Sequence, residues 1–96
     1  MYQIFLESHP ECNIIVGGFT DNRGGEQYNR ALSQKRGYAV ARAHQSGGIS
    51  EDRMTVRGLG EKFPVATNGT AAGRLQNRRV EITILNPGTS PQDAGR

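Results

Sequence analysis

The hydrophobic positions fall into a few short runs separated by glycine-rich and polar stretches. Asn13-Ile14-Ile15-Val16 is a β-branched run bounded by Gly17-Gly18, and it predicts a buried strand over about 13–19. Val80-Glu81-Ile82-Thr83-Ile84-Leu85 alternates apolar and polar over its first five residues, the pattern of a strand with one face covered differently from the other. Met54-Thr55-Val56-Arg57 reads as a further strand, closed by Gly58-Leu59-Gly60. Between the first two strands in chain order, Tyr28, Leu32, Ala39, Val40 and Ala43 recur at helical spacing and predict a helix from Glu26 or Gln27 to about Gln45, stopped by Ser46-Gly47-Gly48. Tyr2, Ile4, Phe5 and Leu6 fit the last turns of another amphipathic helix, ending before Pro10. Residues 61–73 carry the breakers Pro64, Asn68-Gly69 and Gly73 and read as loop or short helix. The order is therefore helix end, strand, helix, strand, loop, strand. A strand–helix–strand unit requires a parallel crossover; the last strand follows a long loop, and its direction stays open.

Ninety-six residues suggest one domain with a modest core. An apolar fraction of 34% and a charged fraction of 22% fit a polar globular domain rather than a disordered chain. Residues 1–86 form the expected domain; 87–96 contain no large apolar residue and read as a disordered tail or linker. The net charge of +3 favours an anionic partner such as wall polymer, nucleic acid or acidic lipid without choosing among them. The single cysteine, Cys12, excludes an internal disulfide and fits a core position. His9 and His44 lack metal-ligand spacing, so no metal or cofactor is expected, and no pattern of catalytic residues is present. No apolar run approaches the length of a membrane span, so membrane contact is expected only through a parent protein.

Asp21 follows the first strand, and Arg36 lies on the predicted helix. Asn29, Ser33, Arg36 and Val40 fall near one helical stripe, whose start lies nearest the loop bearing Asp21. Ligands of open strand–helix sheets sit at the carboxyl ends of strands. A carboxylate and a guanidinium presented together complement a zwitterion: arginine forks onto a carboxylate, and aspartate accepts from an ammonium. Each residue taken alone also fits a plainer reading. Asp21 suits a turn or helix cap, Arg36 a solvated helix charge or a partner of Glu26 or Glu81, and Asn29 a surface polar position. Arg78 and Arg79 point to opposite sides of a strand, so at most one faces a given site.

Several short motifs occur together and in order: Gly18-Phe19-Thr20-Asp21, Asn29, Leu32-Ser33 with Arg36, Val40, Arg53-Met54, Gly58 with Gly60, Pro64, Asn68 with Thr70, Gly73-Arg74, and Asn77-Arg78-Arg79-Val80-Glu81-Ile82. Across about residues 13–84 this combination resembles the OmpA-like peptidoglycan-binding domain, the family of the OmpA C-terminal domain, Pal and MotB. The resemblance implies an α+β fold of the βαβαβ-β type, with a mixed sheet and helices on one face. It implies a non-catalytic, periplasmic module, associated with the outer membrane or wall, that holds peptidoglycan by the diaminopimelate of the stem peptide. Carried over by position, Asp21 and Arg36 grip the amino and carboxylate groups of that residue. Asn29 and Arg78 line the same pocket, and Thr20 contributes through its hydroxyl or backbone.

Two positions depart from the family pattern. Gly37 stands where alanine is usual and His44 where a leucine packs, and both predict a weaker helix or core face. By the resemblance, the family's first strand and most of its first helix are expected to be missing from the ninety-six residues. That leaves Val80–Leu85 as an expected bare edge, a place for homodimer pairing. The competing functions are a protein-interaction or dimerisation module and a nucleic-acid binder. The second is suggested by Arg74, Arg78 and Arg79, and opposed by the lack of aromatic stacking residues beside them.

Overall fold

The computed structural model describes residues 6–93. Within them, β1 (Ile14–Phe19), α1 (Glu26–Ser46), β2 (Met54–Gly60), α2 (Ala71–Asn77) and β3 (Val80–Ile84) follow in order, with short 3-10 turns at Glu51–Arg53 and Pro91–Asp93. The sheet order is β2-β1-β3. β1 pairs parallel with β2 and antiparallel with β3, which settles the direction of the last strand. The sheet is thus mixed, as the α+β reading expects. Residues 6–8 are helical; the rest of the helix expected over 2–8 lies outside the described residues.

β1 is the buried centre, all six of its residues being inaccessible. Ile14 and Val16 face α1 and join Leu6, Ala41 and Ile49 in the core, with Val40, Met54, Val56, Val80 and Ile82 packed around them. Full burial of each such side chain contributes about 1.5–3 kcal/mol. The segment 6–12 is tied down by Arg53, whose guanidinium donates to the carbonyls of Leu6 (2.9 Å), His9 (2.8 Å) and Cys12 (2.6 Å).

The helix α1 corrects the expected core stripe. Its buried residues are Asn29, Ser33, Gly37 and Ala41, each four apart. Tyr28 is exposed, as are Ala39 and Ala43, while Leu32 and Val40 are only half buried. The reason is close approach. A Cβ on Gly18 would fall 1.9 Å from the Ser33 carbonyl oxygen, so β1 and α1 nearly touch through their backbones. Gly37 belongs to the same contact: a Cβ there would meet Val56 Cγ1 at 2.9 Å. Its helix-propensity cost of about 1 kcal/mol is thus offset by a packing distance that alanine could not keep without a shift. His44 closes the helix by setting Nδ1 3.0 Å from the Val40 carbonyl.

β2 runs on through Gly58 to Gly60, beyond the expected Arg57, because those glycines lie beneath α1. The register slips by one residue between Gly18 and Phe19, so Phe19 pairs with Gly60. Such a bulge bends the strand end, here immediately before Asp21. The second helix, α2, occupies part of a region read as loop. Thr70 caps it by accepting from Gly73 N at 3.0 Å.

Candidate functional site

The site grows from the carboxyl end of β1. Phe19 N donates to the Arg79 carbonyl at 2.8 Å and Thr20 N to the Gly60 carbonyl at 2.9 Å, so both neighbouring strands pin the chain where it leaves the sheet. Asp21 follows, its side chain only 8% exposed. Its Oδ1 accepts from Arg23 N at 3.0 Å, closing a local turn, and its Oδ2 accepts from Arg78 Nη1 at 2.7 Å. The backbone bond from Arg23 and then the bond and charge of Arg78 hold the Asp21 carboxyl below its ordinary value, outweighing burial. Asp21 is therefore an anion at neutral pH.

The carbonyl of Asp21 is fixed as well. Thr20 Oγ1 donates to it at 2.9 Å and the buried Asn29 Nδ2 at 3.4 Å; the same nitrogen reaches Glu61 Oε1 at 3.3 Å. Ser33, fully buried, donates to the Arg30 carbonyl and accepts from Gly60 N, locking α1 to the turn that carries Glu61. Thr20, Asp21, Asn29 and Arg78 thus form one connected network.

Arg36 joins it differently. Its side chain is half buried, and among the described residues its guanidinium has no hydrogen-bond or ion-pair partner. Arg36 pairs with neither Glu26, which meets Arg30, nor Glu81, which meets Arg79, while the reading of Arg36 as a solvated helix charge is left standing. Arg36 lines an open hollow of about 470 Å³ with Ala39, Val40, Leu75, Arg78, Arg79 and Val80. Arg78 is the link: it bonds Asp21 and shares the hollow with Arg36. Asp21 is not among the residues lining that hollow, so the expected couple of Asp21 and Arg36 is linked only through Arg78, which the residue spacing did not disclose.

Arg79 has another task. Its carbon Cζ lies 3.9 Å from the Phe19 ring centroid, and its nitrogens donate to Glu81, Asn77 and Phe63. Arg74 donates to the Asn68 carbonyl. With Arg78 on Asp21, all three arginines behind the nucleic-acid reading thus hold partners within the chain. Asn77, completely buried, accepts from Val65 N and Ala66 N and donates to Ala66 O and Asn68 Oδ1. Asn68 in turn accepts from Asn22 N beside Asp21, so this knot braces the site loop. Glu61 was not singled out from sequence; an acidic residue directly after Gly60, whose φ is +59°, was the available signal. A second hollow of about 460 Å³, between α1 and residues 51–56, contains no member of the network.

Among the described residues no three His, Cys, Asp or Glu side chains cluster as a metal site, and no helix is long and apolar enough to cross a membrane. What the site offers is a partly apolar hollow lined by Arg36, whose guanidinium has no partner among the described residues, and by Arg78, which holds the Asp21 carboxylate.

A mixed three-stranded sheet under a close-packed helix, with this site at the end of its central strand, defines a member of the OmpA family. The chain belongs to that family, which residues 3–78 match. It is 48% identical over 71 residues to the outer-membrane lipoprotein YfiB of Pseudomonas aeruginosa, covering 74% of this chain and 42% of that protein. It is 39% identical over 79 residues to the peptidoglycan-binding protein ArfA of Mycobacterium bovis, covering 82% of this chain and 24% of that protein. The crystal structure of the peptidoglycan-associated lipoprotein from Burkholderia pseudomallei superposes with a TM-score of 0.84 at 39% identity, over 88% of this chain and 71% of that one. The chain spans between 24 and 46% of the length of the first curated relatives.

Proposed function

We propose that this chain binds peptidoglycan without cleaving it, through the diaminopimelate residue of the stem peptide, and so anchors a cell-envelope protein to the wall. The observation that carries the reading is the Arg36 guanidinium, unpaired among the described residues, which shares a hollow with Arg78, itself bonded to Asp21. In a stem whose diaminopimelate amine is not consumed by a cross-link, the residue presents an ammonium and a carboxylate on one carbon beyond a short methylene chain. Arg36 forks onto the carboxylate. Asp21 accepts from the ammonium. Thr20 and Asn29 hold the Asp21 backbone so that its carboxylate stays aimed, and the apolar wall of Ala39, Val40 and Val80 lies beside the methylenes.

Two charge-assisted contacts at about 1.5–3 kcal/mol each, reduced by the cost of association, give a single-site affinity of about micromolar to millimolar. A polymer with many copies raises retention through avidity. Relatives described as peptidoglycan-binding, peptidoglycan-associated and outer-membrane lipoproteins support the same reading and a periplasmic setting. The test is co-sedimentation with diaminopimelate-type wall sacculi. The wild-type chain pellets with the sacculi; Asp21→Ala and Arg36→Ala stay in the supernatant while retaining the wild-type circular dichroism spectrum. Pelleting of both variants at the wild-type level overturns the site.

A further inference from the structure

Resting on that reading, we infer that Arg78 is an internal competitor that makes the site selective for a ligand carrying ammonium and carboxylate together. In the free protein Arg78 Nη1 stands 2.7 Å from Asp21 Oδ2, where a ligand ammonium would bind. The bond uses one nitrogen, and the Arg78 side chain is 38% exposed, so it is readily exchanged. On its other side Arg78 lines the same hollow as Arg36.

Charge accounting then separates three kinds of ligand. A plain amine that displaces Arg78 from Asp21 leaves two guanidinium groups facing one hollow with no anion between them. A plain carboxylate meets Arg36 alone, because Arg78 stays on Asp21. A zwitterionic headgroup changes every partner at once: its ammonium takes Asp21, and the released Arg78 joins Arg36 on its carboxylate. Only the third exchange gives the ligand carboxylate two guanidinium groups while Asp21 keeps a cation, so Arg78 couples the ammonium contact to the carboxylate contact.

The experiment uses three probes of similar chain length: meso-diaminopimelate, pimelate, which lacks the amines, and cadaverine, which lacks the carboxylates. Calorimetry on the wild-type chain is expected to give cadaverine and pimelate affinities each about tenfold or more below diaminopimelate, one charge-assisted contact being lost in each case. Arg78→Gln frees Asp21, so cadaverine should bind roughly threefold to fivefold more tightly than to wild type while diaminopimelate weakens. A diaminopimelate-to-cadaverine ratio unchanged by Arg78→Gln overturns the inference. Nitrogen-15 spectra of the arginine side chains give a reading that needs no variant. Saturating diaminopimelate should shift the Arg36 and Arg78 signals together, and pimelate should shift Arg36 alone. An Arg36 shift without an Arg78 shift under diaminopimelate removes the competitor role but leaves the wall-binding reading standing. No shift at either residue removes both.

Discussion

Arg78 and Arg79 share a peptide bond and meet opposite circumstances. Arg79 is only 16% exposed; it stacks on Phe19, pairs with Glu81 and donates to two carbonyls. Arg78 is more than twice as open and holds one carboxylate oxygen through one nitrogen. The contrast extends to their surroundings. The Asn77–Asn68–Arg79 side is a saturated network that uses its polar atoms to hold the 61–70 loop against the sheet. The Arg36–Arg78 side leaves one guanidinium without a partner among the described residues and another lightly held. Saturation marks polar residues that keep the fold; unsaturated charge at a strand end marks those available to a ligand.

The strongest way to break this comparison is Arg79→Ala. It removes the stacking on Phe19 and the ion pair with Glu81, and is expected to cost about 3 kcal/mol. For a domain of this size that lowers the thermal midpoint by roughly 15 °C; a loss no larger than that of Arg78→Ala would dissolve the distinction. Next comes Arg36→Ala, expected to change stability by less than about 0.5 kcal/mol while weakening diaminopimelate binding about tenfold to a hundredfold. Chemical denaturation and calorimetry on the same sample separate the two quantities.

The third prediction concerns pH. Asp21 has a depressed folded-state pKa, so its contribution to stability is fully present above the ordinary value of 3.8 and is lost as pH falls through the depressed one. Urea midpoints should carry no Asp21-dependent change between neutral pH and about pH 5. Below about pH 4 the wild type should lose stability that Asp21→Asn, already lacking the charge, does not lose. The smallest effect is a coupling energy. A double-mutant cycle between Asp21 and Arg78 should give less than about 1 kcal/mol because Arg78 is open to solvent, and the cycle between Arg79 and Glu81 should give more.

Much of the fold was legible in the chain because its signals are local. Ile14-Ile15-Val16 marked the central strand, the Val80–Leu85 alternation marked the last one, and the glycines at 47 and 48 marked the end of α1. The buried face of α1 was not, since hydrophobic periodicity points to Tyr28 and Leu32 whereas the helix sits so close to the sheet that only Asn29, Ser33, Gly37 and Ala41 fit beneath it. Part of α2 was hidden behind Gly73, which reads as a breaker; a Cβ there would collide with the Thr67 carbonyl at 1.9 Å, so the residue is required for packing. Within the site, Asp21, Arg36 and Asn29 could be named from motifs. That Arg78 bonds Asp21 across fifty-seven residues of chain is a product of β1 and β3 lying side by side, and no spacing rule encodes it.

The most direct test of wall recognition is the binding of the unaltered chain to two kinds of sacculi, measured side by side at physiological salt. Lysine-type wall keeps the side-chain ammonium and lacks the carboxylate on the same carbon. Retention on diaminopimelate-type sacculi with little or none on lysine-type sacculi is the predicted result; equal retention on both would contradict a site built around the Arg36 guanidinium.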